Sequence, residues 1–231
     1  MMRALCLHSF RTNGEIMKVQ LAMKQVSTMN CLECVFLDAS GVIDEAVDEV
    51  HAGVKRYFPS SKMGAYREWW RRSSEKDEPP IVYAGLDASV LQVETELAKG
   101  DYDGLIGFSQ GGALAAIVCA RQLLRREEGI RWAWIMSSFV PQDDSVIKSF
   151  EGLPKGDLEM LLTTHEADPA VPADSTKDLA SRFPGSQYVE FPGASHSPTS
   201  LKDPENENVR AVHDFFKKAV QKTNANSKAA A

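Results

Sequence analysis

The sequence predicts an α/β domain with a mostly parallel central sheet of about six strands and helices on both faces. Short apolar runs alternate along the chain with longer segments of helical periodicity, which is the pattern of strand–helix–strand units. The apolar runs are continuous rather than alternating, as is typical of strands buried on both faces. The 231 residues are 43% hydrophobic and 25% charged, which suits one globular domain, assigned here to residues 1–222.

The elements follow one another in a regular order. The first strand is the apolar run 3–8, and helix 14–29 follows it with apolar side chains close to helical spacing. A helix at 87–99 begins at Asp87 or Ser89 as N-cap and stops at Gly100. The other strands are expected at 35–37, 105–108, 132–136, 158–163 and 187–191, and the other helices at 111–126, 173–182 and 209–220.

Two segments interrupt this rhythm. Residues 40–80 form a long, mixed insertion with a cluster of aromatic residues, which could line a ligand pocket, form a mobile cover, or pack the insertion onto the domain. The last residues, 223–231, are polar and rich in alanine, and we expect them to be disordered.

Composition excludes several classes of function. The net charge is −6 and no basic block stands out, so a nucleic-acid partner is not expected. The apolar runs fall short of the about 18 residues of a membrane span, and the N-terminal run is too short for a secretory signal. Cys31 and Cys34 form a C-x-x-C that lacks a second pair of ligands, so we expect no metal. A thioredoxin-like redox pair is the alternative, but such a pair opens a helix and this one leads into a strand, so we expect reduced cysteines in a cytoplasmic protein.

A G-x-S-x-G motif follows the third expected strand. It comprises residues 107–112 (GFSQGG) and leads into a helix, which is the context of a nucleophile elbow. Gly107 and Gly111 leave room for a sharp turn, which would raise the hydroxyl of Ser109 above the sheet. The amide of Gln110 would then point to where an oxyanion forms. The alternative is a glycine-rich helix start with an incidental serine.

A nucleophilic serine needs a base and an acid, which follow it in the order acid, then histidine, in this type of fold. His196 lies among small residues in a loop between the sixth expected strand and the last helix, and we predict that it is the base. Asp168 follows the fifth strand and is the favoured acid, with Glu166 and Asp174 as rivals.

A second oxyanion donor should come from the loop after the first strand. The amide of Phe10 is our choice, although its side chain could equally belong to the core. The chain has no phosphate-binding loop and no dinucleotide-binding glycine motif, so no cofactor is expected.

Three segments, 7–17 (LHSFRTNGEIM), 35–39 (VFLDA) and 102–111 (YDGLIGFSQG), together with the loops of Asp168 and His196, carry a family resemblance. The chain resembles the FSH-type serine hydrolases, the ovarian-cancer-gene-2-like esterases, from about Arg3 to Lys217. The resemblance implies an α/β-hydrolase fold and metal-free hydrolysis of esters or thioesters. The chain differs from the family's usual pattern in two places. His8-Ser9 stands where the family usually has His-Gly, and residues 40–80 lack the family's short proline-rich form.

The resemblance also implies roles for single residues. Ser109, Asp168 and His196 match the catalytic residues, and Phe10 and Gln110 match the oxyanion-hole positions. Substrate contacts are expected from an aromatic pair in the insertion and from residues that follow the fourth and fifth strands: Trp69, Trp70, Phe139 and Pro169.

The sequence therefore predicts a serine hydrolase that cleaves small-molecule esters or thioesters of medium to long acyl chains through an acyl-enzyme. One alternative is a hydrolase-fold module without catalysis that binds a ligand or a partner. Another is a serine peptidase on the same fold, which no feature of the sequence supports beyond the three expected catalytic residues. The oligomeric state is not predicted.

Overall fold

The computed structural model describes residues 1–26, 29–72, 81–100 and 102–229. In this part of the chain the strands are β1 (Met2–Leu7), β2 (Leu32–Leu37), β3 (Gly41–Val42), β4 (Arg67–Glu68), β5 (Arg71–Arg72), β6 (Tyr83–Ala84), β7 (Gly104–Phe108), β8 (Trp132–Met136), β9 (Glu159–His165) and β10 (Gln187–Phe191). The helices are α1 (Gly14–Met23), α2 (Ala52–Tyr57), α3 (Ser60–Met63), α4 (Leu86–Leu97), α5 (Gln110–Arg125), α6 (Asp144–Lys148), α7 (Ala173–Ser181) and α8 (Glu207–Ala229).

Six of the strands form one parallel sheet, which confirms the predicted fold class. Their order is β10-β9-β8-β7-β1-β2. The chain runs from β1 outward to β2 and then returns to β7 on the other side of β1, so the direction of winding reverses between β1 and β7. Leu7 at the end of β1 is in register with Gly107 of β7. Ligands of such sheets bind at this reversal, beyond the carboxyl ends of the strands.

Helices cover both faces of the sheet. On one face α4, α5 and α7 contribute Val90, Leu114 and Leu179 to the largest buried cluster. On the other face α1 and α8 contribute Met17 and Phe215 to a second cluster. Each fully buried side chain of this size stabilises the fold by about 1.5–3 kcal/mol relative to exposure. No helix within the described ranges combines the length and the apolar composition that crossing a membrane requires.

The insertion packs onto the domain through small elements of its own. Strand β3 pairs with β4 and strand β5 with β6, both antiparallel. Tyr66, Trp69 and Trp70 are buried, and the two tryptophans belong to the main cluster beside α4 and α5. The part of the expected insertion at 73–80 lies outside the described residues.

Helix α4 begins at Leu86 after Gly85, so neither Asp87 nor Ser89 is its N-cap as expected. The largest differences from the expected ends are in two other helices. Helix α1 ends at Met23 rather than near residue 29, because Gln25 adopts a φ of 61°, which no continuing helix allows. Helix α8 continues to Ala229, beyond the expected end near residue 220, and the expected disorder of the tail stays a prediction. Residues 221–229 hold no glycine or proline, and nothing in their sequence stops the helix. Residues 230–231 lie outside the described chain.

Gly111 at the start of α5 should be among the least replaceable residues. A Cβ there would collide with the carbonyl oxygens of Leu7 and His8 at the end of β1. We expect Gly111→Ala to lower the free energy of unfolding by about 3 kcal/mol, because rigid backbone cannot yield to the methyl group. Urea denaturation measures this change.

Gly53→Ala in helix α2 is the matched control. A Cβ at Gly53 meets only the side chain of His51, and alanine favours a helix more than glycine does. We expect this variant to be as stable as the wild type or more so. Equal stability of the two variants would contradict the tight contact between α5 and β1.

Candidate active site

Ser109 occupies a strained turn between β7 and α5. Its φ of 54° and ψ of −118° lie outside the regions that a serine prefers, at a cost of about 1–3 kcal/mol. The turn is held by three hydrogen bonds to the backbone of Ser109. The Ser109 N–H donates to the Met136 carbonyl, and the Ser109 carbonyl accepts from the Ala113 N–H and the Ser138 hydroxyl. The structure thus forms the elbow that the motif predicted.

Ser109, His196 and Asp168 form one hydrogen-bonded chain. The distance from Ser109 Oγ to His196 Nε2 is 3.1 Å, and that from His196 Nδ1 to Asp168 Oδ2 is 2.8 Å. The Asp168 side chain is fully buried, whereas that of His196 is 21% exposed. The ring of Phe108 lies against the imidazole, with 4.9 Å between the ring centroids. This is the arrangement in which a histidine can take a proton from a serine.

Asp168 is held as a carboxylate. Burial raises the pKa of Asp168, but hydrogen bonds from the Val171 N–H, His196 and the Ala170 N–H outweigh burial and hold the pKa below its ordinary value. Both backbone donors bind Oδ1 at 2.9 Å, which leaves Oδ2 for the imidazole. The carboxylate can therefore accept a proton-bearing nitrogen from His196 and stabilise its charged form.

The rival acids and the other histidines lie elsewhere. Glu166 is exposed, and Asp174 lies in the first turn of α7. His165 is buried at the end of β9 beside Phe191, and burial lowers its pKa. Of the five histidines, all of them described, the hydrogen bond to Ser109 is made by His196. His51 caps α2, and His213 belongs to α8.

The two amides expected to form an oxyanion hole belong to Phe10 and Gln110. The Phe10 side chain is 44% exposed and lies under the Arg11 guanidinium, so it is not a core residue. Gln110 is the first residue of α5, where the helix dipole favours negative charge. Within the ranges that the structure describes, neither amide donates to a protein acceptor.

The side chain of Gln110 has a contact that sequence reasoning missed. Its Oε1 accepts from the Trp69 N–H at 3.0 Å, and its Nε2 donates to the Trp70 carbonyl at 2.9 Å. The Gln110 side-chain amide thus makes two hydrogen bonds to the backbone of the insertion, one as acceptor and one as donor. No sequence signal marks this contact, because the motif assigns a role to the Gln110 backbone amide and none to its side chain.

Trp69 and Trp70 are 2% and 4% exposed, so neither offers an open face to a substrate. The Trp69 indole stacks on His8 at 4.9 Å between centroids, and its Nε1–H donates to the His8 carbonyl at 2.8 Å. Their burial favours the packing alternative over the acyl pocket. Phe139 is partly exposed beyond β8, and Pro169 is exposed beside Asp168, so both keep surface that a substrate could contact.

The four cysteines are free thiols. Cys34 lies in β2, as expected of a pair that leads into a strand, and Cys31 immediately precedes that strand. Over the described ranges, no group of three or more His, Cys, Asp and Glu side chains could hold a metal ion. The absence of a metal from the reaction stays a prediction.

The parallel sheet and the turn between β7 and α5 define the fold of an α/β hydrolase. Two solved structures share the fold: a variant of SOBER1 from Arabidopsis thaliana (19% identity, TM-score 0.61, 95% of this chain and 99% of that one) and acyl-protein thioesterase 2 from Zea mays (13% identity, TM-score 0.62, 94% and 93%). The model of the serine hydrolase (FSH1) family matches residues 1–206, and the chain belongs to this family. Esterase OVCA2 of Danio rerio is 26% identical over 227 residues, covering 94% of this chain and 97% of the relative.

His8, fully buried beside the site, should make folding stability depend on pH. Burial lowers the pKa of His8 from 6.5 to about 4; its bond to the Ser9 carbonyl and the nearby Asp38 oppose this shift, and Arg67 adds to it. Between these two pKa values, His8 is therefore protonated in the unfolded chain and neutral in the folded chain. The contribution of His8 to the free energy of unfolding is fully present above pH 6.5. It falls by about 3 kcal/mol as the pH drops toward 4.

Urea denaturation between about pH 7 and pH 4 measures this loss, with His8→Gln as the comparison. The variant keeps the other titrating groups, His165 included, and should lose the part of the slope that belongs to His8. The same slope in both proteins would contradict the assignment of a neutral, buried His8.

Proposed function

We propose that the protein hydrolyses carboxylic esters or thioesters with Ser109 as nucleophile, His196 as general base and Asp168 as the acid that orients the histidine. The observation that carries the proposal is the hydrogen-bonded chain from Ser109 Oγ through His196 to the buried Asp168 carboxylate. Membership of the serine hydrolase family supports it.

The reaction would run in two halves. Ser109 Oγ attacks the acyl carbon while its proton passes to His196 Nε2, and Asp168 stabilises the imidazolium. The amides of Phe10 and Gln110 bind the oxyanion, and His196 then gives its proton to the departing alcohol or thiol. Water, deprotonated by His196, attacks the acyl-enzyme, and the collapse of the second tetrahedral intermediate releases the carboxylic acid and restores Ser109.

We propose that medium to long acyl chains are preferred over acetyl. With Trp69 and Trp70 buried, this proposal rests on the exposed ring of Phe10 and on the accessible faces of Phe139 and Pro169 at the edge of the sheet that carries Ser109. An acyl chain lying across these side chains would bury apolar surface, at about 25 cal/mol per Å².

The ester and thioester interpretations share the same site, and the names of the relatives do not choose between them. A cytoplasmic location, a small-molecule substrate and the absence of a nucleic-acid partner likewise stay predictions from the sequence.

Hydrolysis of p-nitrophenyl esters from acetate to palmitate tests the nucleophile and the chain length together. We expect Ser109→Ala to abolish turnover and Asp168→Asn to lower kcat by about 10⁴-fold, because the imidazole would be held in the wrong tautomer. Glu166→Gln, at the exposed rival acid, is the matched control and should retain activity. A steep preference for acetate would refute the chain-length proposal, and a fully active Asp168→Asn would refute the acid.

Labelling with a fluorophosphonate separates catalysis from a binding module. We expect one covalent adduct on Ser109 in the wild type and none in Ser109→Ala, because only an activated serine attacks the phosphorus. A folded wild type that neither labels nor hydrolyses any ester or acyl thioester would favour a module that binds without catalysis.

A further inference from the structure

The two amides of the proposed oxyanion hole belong to peptide groups whose carbonyls accept hydrogen bonds from buried side chains. A trans peptide is planar, so its C=O and N–H point in opposite directions. The Phe10 N–H shares a peptide group with the Ser9 carbonyl, and the Gln110 N–H shares one with the Ser109 carbonyl. Whatever fixes these two carbonyls therefore also aims the two amides.

The first carbonyl is fixed by two buried side chains. The Ser9 carbonyl accepts from His8 Nδ1 at 2.8 Å and from the Thr12 hydroxyl at 2.8 Å. His8 Nε2 accepts from the Ala39 N–H at 3.1 Å, which places the imidazole proton on Nδ1. His8 and Thr12 are 0% and 2% exposed, so water does not compete for this carbonyl.

The second carbonyl is fixed in the same way on the other side of the site. The Ser109 carbonyl accepts from the Ser138 hydroxyl at 2.9 Å, besides its helical bond from the Ala113 N–H at 3.0 Å. Ser138 is itself held by Thr176, whose hydroxyl donates to the Ser138 carbonyl at 2.8 Å and accepts from the Ser138 N–H at 3.0 Å. Ser138 and Thr176 are both fully buried.

We propose that His8, Thr12 and Ser138 are positioning residues that aim the Phe10 and Gln110 amides at the oxyanion by holding the carbonyls of the same two peptide groups. Hydrogen bonds to these carbonyls also polarise the peptide groups, which makes their N–H groups stronger donors. None of the three side chains needs to touch the substrate. The inference rests on the proposed function, since it concerns the oxyanion hole of that reaction.

The hydroxyl variants test the proposal at both peptides. We expect Thr12→Val and Ser138→Ala each to lower kcat about tenfold with little change in KM, less than the about 10²–10³-fold that follows loss of a whole donor. Combined, they should lower kcat about 100-fold, since they act on different peptides. Thr12→Ser keeps the hydroxyl and should recover most of the loss. Thr164→Val is the matched control: Thr164 is fully buried, and its hydroxyl has no partner within the described chain.

Two variants of His8 separate positioning from anchoring of the loop. His8→Asn keeps a donor where Nδ1 stands, and His8→Gln keeps an acceptor where Nε2 stands. The proposal predicts that His8→Asn retains about tenfold more kcat than His8→Gln. If His8 only anchors the loop to Ala39, the order is reversed, and equal values overturn the role of His8 as well.

A readout specific to the oxyanion is the affinity for a trifluoromethyl ketone, which forms a hemiketal oxyanion with Ser109. We expect its dissociation constant to rise in each variant by the factor by which kcat/KM falls. Variants that unfold at lower temperature but keep wild-type kcat and inhibitor affinity would overturn the proposal. If Ser109→Ala is as active as the wild type, or the wild type is inactive, the proposed function fails and the inference with it; Ser109-dependent activity that ignores Thr12 and Ser138 overturns the inference alone.

Discussion

The structure of the site depends on the close approach of α5 to the end of β1. Gly111 lies so near the Leu7 and His8 carbonyls that only a hydrogen atom fits between them. Gly107 is under the same constraint, since a Cβ there would come within 2.6 Å of the Gly111 carbonyl oxygen. Because β1 and β7 are neighbours with their carboxyl ends in register, this packing brings the loop after β1 alongside Ser109. Two peptide groups distant in sequence can then face one small volume.

The insertion stabilises this arrangement from outside. Trp69 contacts both halves of the site, because its indole holds His8 and its backbone N–H is bound by Gln110. Glu68, 6% exposed, lies between Arg11 of the loop after β1 and Arg71 of the insertion, at 3.3 and 2.6 Å. A nearly buried carboxylate would be costly alone, and two guanidinium partners offset that cost. Of the alternatives that the sequence left open for this aromatic segment, these contacts favour packing against the loop after β1.

The sequence predicts local features well and long-range side-chain contacts poorly. The six sheet strands follow from continuous apolar runs, and Ser109 follows from a motif whose spacing reflects a tight turn. Asp168 and His196 could be chosen because chain order and strand ends limit the candidates. The bond from Gln110 to Trp70 spans 40 residues, and that from Ser138 to Ser109 spans 29. No periodicity marks such contacts, because a buried hydroxyl after a strand has the same sequence signature whether or not it meets a carbonyl.

The replacement of the family's usual His-Gly by His8-Ser9 has a simple structural explanation. A glycine is required only where φ is positive or a Cβ would collide, and the φ of Ser9 is not positive. The positive φ in this loop falls on Arg11, at 50°. An arginine tolerates that strained conformation only when its surroundings fix it, and here Glu68 and Asp48 bind its guanidinium while its charge lies over Phe10. The side chains that hold Arg11 thus fix the backbone directly after Phe10, and Glu68 links this loop to Arg71 of the insertion.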